Sequence, residues 1–217
     1  MNRIRIFVML VMFCVFFAGC QTAKVPATAT EAVAEKTEVK KNAQKTGALL
    51  LEGFESPSTW IAVGKNWGDG DCSKSVAVSE AWATEGKKSL VLTFNPLVKD
   101  KGATCFTEML GITDFSSYEA IVLDVLNPSD KPMQASVAVT TGDGWEWFES
   151  NVFDLVAGEN KDLRIELFNG SLKSAGTGWK FTSDLKSPDN VLRVAVKFFG
   201  PEGFSGTVNI DNIRLMN

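Results

Sequence analysis

The sequence predicts an all-β fold: an antiparallel jelly-roll β-sandwich, preceded by a signal segment and a disordered tether. Three observations predict it. Beyond Ala48 the chain is a succession of short alternating or apolar runs, parted by clusters of Gly, Asn, Asp, Ser and Pro. Almost nowhere does it hold the period of an amphipathic helix. It closes on GTVNIDNIRL, Gly206 to Leu215, where Val208, Ile210, Ile213 and Leu215 sit among polar residues while Asp211 and Asn212 interrupt the alternation. A strand that ends a domain is expected to pair with an early one.

Taken in order, the expected strands lie near 49–55, 76–82, 88–94, 104–110, 120–126, 135–141, 145–153, 162–167, 192–199 and 207–215, with single helical turns at 114–118 and 183–185. At 217 residues, 45% of them hydrophobic, the chain is long enough for one well-packed domain plus appendages and too short for two large ones. It contains no histidine. That excludes Ser-His-Asp and Cys-His catalysis and the usual imidazole metal sites.

Residues 1–19 read as a signal peptide: Arg3 and Arg5, an apolar run from Ile6 to Phe17, then small residues before Cys20. The run is too short to cross a bilayer comfortably, which takes about 20 apolar residues. FAGC, residues 17–20, resembles the lipobox of bacterial lipoproteins, with Phe17 where Leu is usual. The resemblance implies that Cys20 is the lipid-modified first residue of the mature protein. Gln21, in place of the Asp that retains inner-membrane lipoproteins, implies the outer membrane.

Residues 20–47 are rich in Ala, Thr, Lys and Glu and hold no aromatic residue, so they form a flexible tether; the domain is 48–217. Of 22 basic and 26 acidic residues, the signal segment holds two Arg and the tether five Lys and three Glu. The domain keeps 15 against 23, a charge near −8. Such acidity argues against nucleic acid or anionic lipid as its partner. In the exported part Cys72 and Cys105 stand far apart in sequence with no clustering ligand, which favours a disulfide between them.

The densest chemical feature is GDGWEWFES, Gly142 to Ser150. Two Trp and a Phe among acids offer flat apolar surface beside hydrogen-bond acceptors, as a sugar ring requires. Trp145, Trp147 and Glu149 share one face of this strand and Glu146 and Phe148 the other; alternation leaves open which faces out. In 120–126, 135–141 and 194–199, one face carries Ala120, Asp124, Ala138, Thr140, Ala195 and Lys197. If these strands share a sheet, small residues form a groove floor from which Asp124 and Lys197 rise. The candidate ligand-binding residues are therefore Trp147, Glu149, Trp145, Asp124, Lys197 and Thr140, with the loops around Trp67 and Trp179 as other aromatic sources.

GFES at Gly53–Ser56, EGKKSL at Glu85–Leu90 and the closing IDNIRL together resemble the calcium-bearing jelly-roll carbohydrate-binding modules of galactose-binding-like fold. The resemblance covers about 49–217, and each motif is short. It implies a structural calcium held by carboxylates of Glu55, Glu85 and Asp211 and carbonyls of Gly53 and Lys88, joining both ends of the domain. Calcium's preference for six to eight oxygens suits these groups; as turn and edge residues the same acids would simply face water. A glycosidase needs two carboxylates about 5 to 10 Å apart. Glu146, Glu149 and Asp124 have the chemistry, but nothing in their spacing asks for it. The resulting reading is a non-catalytic, lipid-anchored, monomeric glycan-binding protein of the bacterial envelope. Its alternatives are an assembly lipoprotein that binds another protein through its sandwich face and a glycan-degrading enzyme on the same fold.

Overall fold

The computed structural model describes residues 47–64 and 70–217. The signal segment, Cys20, the tether up to Thr46 and Trp67 lie outside the described residues. The strands are β1 (Leu49–Glu52), β2 (Ile61–Ala62), β3 (Ser73–Ser79), β4 (Ser89–Phe94), β5 (Ala103–Thr107), β6 (Ala120–Asn127), β7 (Met133–Thr141), β8 (Glu146–Ser150), β9 (Phe153–Leu155), β10 (Gly158–Glu166), β11 (Leu172–Lys173), β12 (Val191–Phe199) and β13 (Gly206–Met216). They form two antiparallel sheets. The first has the order β10-β6-β13-β4-β3 with β1 also paired to β13; the second has the order β11-β8-β7-β12-β5-β2 with β9 also paired to β7.

Alternation decides which residues fill the space between the sheets. Ile121, Leu123 and Val125 of β6 face Val137 and Val139 of β7 and Val194, Val196 and Phe198 of β12 in one continuous core, closed by Phe54, Phe115 and Phe148. Each such side chain contributes roughly 1.5–3 kcal/mol by leaving water. The closing strand pairs with β1 through Leu49–Leu215 and Leu50–Arg214, as expected of the domain's two ends.

The interruption at Asp211 and Asn212 is a β-bulge. Asn212 adopts φ 52°, and the register against β6 shifts between Asp211 and Arg214. The shift moves the buried positions from Val208 and Ile210 to Ile213 and Leu215, so one strand keeps its apolar side chains in the core on both sides of the bulge.

Four expectations are corrected. The single strand over 145–153 is two strands, β8 and β9, both paired to β7 with registers that differ by one residue. The extra residue at 151–152 is accommodated because Ser150 Oγ, and not a backbone carbonyl, accepts from Val137 N at 3.0 Å. The helical turns at 114–118 and 183–185 are a turn closed by Tyr118 N and Phe115 O and an extended segment bridged to Leu172. A 3-10 turn lies instead at Ala175–Thr177. Strand 120–126 does not share a sheet with 135–141 and 194–199, so Ala120 and Asp124 belong to the opposite side of the sandwich. Finally, Cys72 and Cys105 are free, buried thiols and form no disulfide. Cys72 is bonded opposite Gly102, three residues before Cys105, and the two sulfurs face different carbonyls, of Gly70 and Val196. Burial pushes the Cys105 thiol up, away from the reactive thiolate.

Candidate functional site

The outward face of the second sheet is set by register. Ala138 of β7 lies between Glu149 of β8 and Ala195 of β12, and Ala195 lies beside Phe106 of β5. In the next row towards one strand end, Thr140 lies between Trp147 and Arg193; towards the other, Ser136 and Thr104 flank Lys197. Two alanines in the centre leave the floor low, and Val63, Phe106 and Trp147 pack around them. Beside them, towards Thr104 and Lys197, lies a depression of about 430 Å³, its walls including Trp147, Glu149, Trp179, Lys197, Asp71 and Lys101. That volume falls within the range of small-molecule sites.

Several polar wall groups are held. Trp147 donates through Nε1 to Glu149 Oε2 at 3.1 Å, and Lys173 Nζ meets Glu149 Oε1 at 3.0 Å. Glu149 is thus held at both carboxylate oxygens and is only 7% exposed. Asp71 Oδ1 accepts from Ser73 N and Thr104 N. Lys197 packs its methylenes where a side chain at 102 would stand, since a Cβ added to Gly102 would meet Lys197 Cε at 2.8 Å. Its ammonium reaches over the Phe199 ring, 5.0 Å from the centroid.

Trp147, Glu149 and Lys197 therefore meet in one depression, and Thr140 lies on the same face beneath the Trp147 row. Trp145 occupies the β7–β8 turn at φ 51° and is exposed; Arg193 stacks on it and on Phe106 while pairing with Glu108. Asp124 is absent from this face. It sits on the outer side of β6, buried, where Thr84 Oγ1, Asp162 N and Asn212 Nδ2 donate to its carboxylate and Arg214 stands 3.7 Å away. Sequence periodicity missed the contribution of Trp179 because no strand carries it. It leaves the 3-10 turn at φ 63°, held by its own N–H on Ser174 O at 2.9 Å. Asp71, Lys101 and Gly102 come from loops for the same reason; the only signal in the chain is their clustering beside β3 and β5.

Two hydroxyls on this face of the sheet, Ser136 Oγ and Thr140 Oγ1, are buried with no hydrogen-bond partner. Such groups ordinarily find one.

The residues implied for calcium lie around the loop between β3 and β4. Lys87 N and Lys88 N donate to Glu55 Oε1 at 2.6 and 2.8 Å and hold its carboxyl below the usual carboxylate range. Thr84 N and Glu85 N donate to Asp211 Oδ2 at 2.6 and 2.8 Å. Gly53 packs beside the Glu85 side chain. Among the described residues no group of three or more carboxylates or thiols is gathered as a metal site. The feature that fits a cation is Asp211 Oδ1, fully buried and without a hydrogen-bond partner.

A family model described as mannanase, galactose-binding domain-like, matches residues 53–212, and the chain belongs to that family. Solved structures share the fold. The family 11 module of Clostridium thermocellum, in complex with a β-1,3-1,4-mixed-linked tetrasaccharide, is 18% identical with a TM-score of 0.55, covering 79% of this chain and 96% of that one. A family 28 module specific for non-crystalline cellulose is 13% identical with a TM-score of 0.52 over 80% and 96%. The first family 27 module of Caldicellulosiruptor saccharolyticus, in complex with mannohexaose, is 22% identical with a TM-score of 0.50 over 79% and 97%. No curated protein matches the sequence.

Proposed function

We propose that this chain is a non-catalytic, lipid-anchored glycan-binding protein that holds a neutral β-linked polysaccharide in the depression of the second sheet. The observation that carries this reading is the meeting of Trp147 and Trp179 with Glu149 and Lys197 around one depression on the second sheet. The indoles supply flat surfaces for the C–H faces of sugar rings, while Glu149 and Lys197 are charged partners for hydroxyls. Family membership and the glycans bound by the family 11 and 27 modules support the ligand class. Absence of catalysis is supported by the engagement of the groove acids: Glu149 is locked by Lys173 and Trp147, and Asp71 by two backbone amides.

The lipobox-like FAGC supports anchoring through Cys20, in the outer membrane by the Gln21 rule. A calcium ion held by Asp211 with Glu55, Glu85 and the carbonyls of Gly53 and Lys88 would stabilise the junction of the domain's ends without touching the sugar. Affinity electrophoresis through galactomannan, mixed-linkage β-glucan and agarose tests the central claim. Retardation by at least one, lost in Trp147→Ala, is expected. Equal migration in every gel would overturn it.

A further inference from the structure

The outer face of the second sheet does not end at the groove. One row beyond Ser136 and Lys197, the register aligns Phe199, Gln134 and Asp154. Strand parity sends these three outward with Ser136, Ala138 and Lys197. They border a second depression of about 640 Å³, walled also by Val156, Lys131 and Pro201. Its chemistry repeats that of the groove with one aromatic ring in place of two indoles. The Phe199 ring is half-buried, Val156 is 65% exposed, and Gln134 Nε2 donates to Asp154 Oδ1 at 2.8 Å, which fixes an amide and a carboxylate side by side.

The two depressions meet at Lys197, whose stem lies against Gly102 on the groove side and whose ammonium covers Phe199 on the other. Ser136 Oγ lies at this junction, buried and without a partner. The bulge at 151–152 opposite Ser136 leaves the strand pairing open beside it. A hydroxyl that lacks a protein partner at the join of two cavities is a group that a ligand or its bridging water completes.

Direction separates the roles. The groove crosses the strands from Trp147 on β8 to Gly102 before β5, whereas the second depression lies off to one side, along β7 and β12. A linear chain in the groove passes it by. We propose that this second depression receives a single-sugar branch of the polysaccharide, a neutral hexose stacked on Phe199 and hydrogen-bonded by Asp154 and Gln134, so that the domain prefers branched to linear chains. This rests on the glycan-binding reading above.

The test is calorimetric titration of the intact domain with mannohexaose and with the same hexaose bearing one α-galactosyl branch. Wild type is expected to bind the branched ligand about fivefold more tightly. Phe199→Ala and the exposed Asp154→Ala should each lower the preference to near unity while leaving mannohexaose affinity unchanged. A branch preference that survives both variants, no preference in wild type, or equal weakening of both ligands by Phe199→Ala would overturn the proposal and leave the groove intact. Binding of neither hexaose by wild type, with retardation by another polysaccharide, would overturn the branch proposal as stated; no binding to any glycan would remove the glycan-binding reading itself.

Discussion

The two outer faces of the sandwich handle buried polar groups in opposite ways. On the first sheet Asp124 and Asp211 lie side by side in register, and the loop between β3 and β4 folds over them. Thr84 donates its hydroxyl to Asp124, and its amide joins that of Glu85 on Asp211. Bulges in both flanking strands turn further donors inward: Asp162 N from β10 and Asn212 Nδ2 from β13. That face is sealed. On the second sheet Val63, Phe106 and Trp147 pack over Ala138 and Ala195, and the buried hydroxyls of Ser136 and Thr140 stay unpaired. On the first sheet loop and bulge donors fasten Asp124 and one oxygen of Asp211, whereas on the second the two hydroxyls beneath the outer face have no such donors or acceptors.

Substitutions can break this contrast. The largest effect is expected from Asp211→Ala, which strips the acceptor from Thr84 and Glu85 and should cost about 3 kcal/mol in urea unfolding. A cost under 1 kcal/mol would mean that the loop is held by other means. The outer face of the second sheet should be untouched, so the proposed retardation by polysaccharide gels should persist under folding conditions. Next comes the proposed calcium. An ion bound only by the folded state adds roughly 2.7 kcal/mol at a hundredfold excess over Kd; EDTA should therefore lower the Tm of wild type and leave that of Asp211→Ala alone. An unmoved wild-type Tm would sink the ion.

On the open face the pattern should invert. Trp179→Ala removes a side chain that is 56% exposed, and its stability change should stay within about 0.5 kcal/mol while retention falls. A marked drop in Tm without loss of binding would make Trp179 a structural prop. The smallest effect on folding is expected from Ser136→Ala, neutral or slightly stabilising because it deletes an unpaired hydroxyl. Tight pairing of Ser136 with the protein would instead appear as a loss of 1 kcal/mol or more.

Alternation made the sandwich legible, including the inward faces of 120–126, 135–141 and 194–199. It also put Ala138, Thr140, Ala195 and Lys197 on a common side. What alternation lacks is sheet identity. Asp124 has the parity of a groove residue, but its strand joins β13 and β10, and only the long-range pairing reveals this. Trp145 failed differently, since a positive φ in the hairpin turn removes it from the strand whose parity it was given. Trp179 and Gly102 are loop residues, and loops have no period to read. The cysteine pair was judged by compartment, which is silent on where two sulfurs point.

The position of β13 has a consequence for how the molecule is made. It lies in the interior of the first sheet, paired to β6, β4 and β1. It is the domain's last strand in sequence. Until it is in place, β6 and β4 have no strand between them, β1 has no partner, and Asp211 is not there to fasten the loop over the sheet. Long-range pairing of this kind is slow to form and rewards nothing until the final strand arrives. The first sheet therefore closes only when this strand is placed, and until then β6 and β4 each present an unpaired edge.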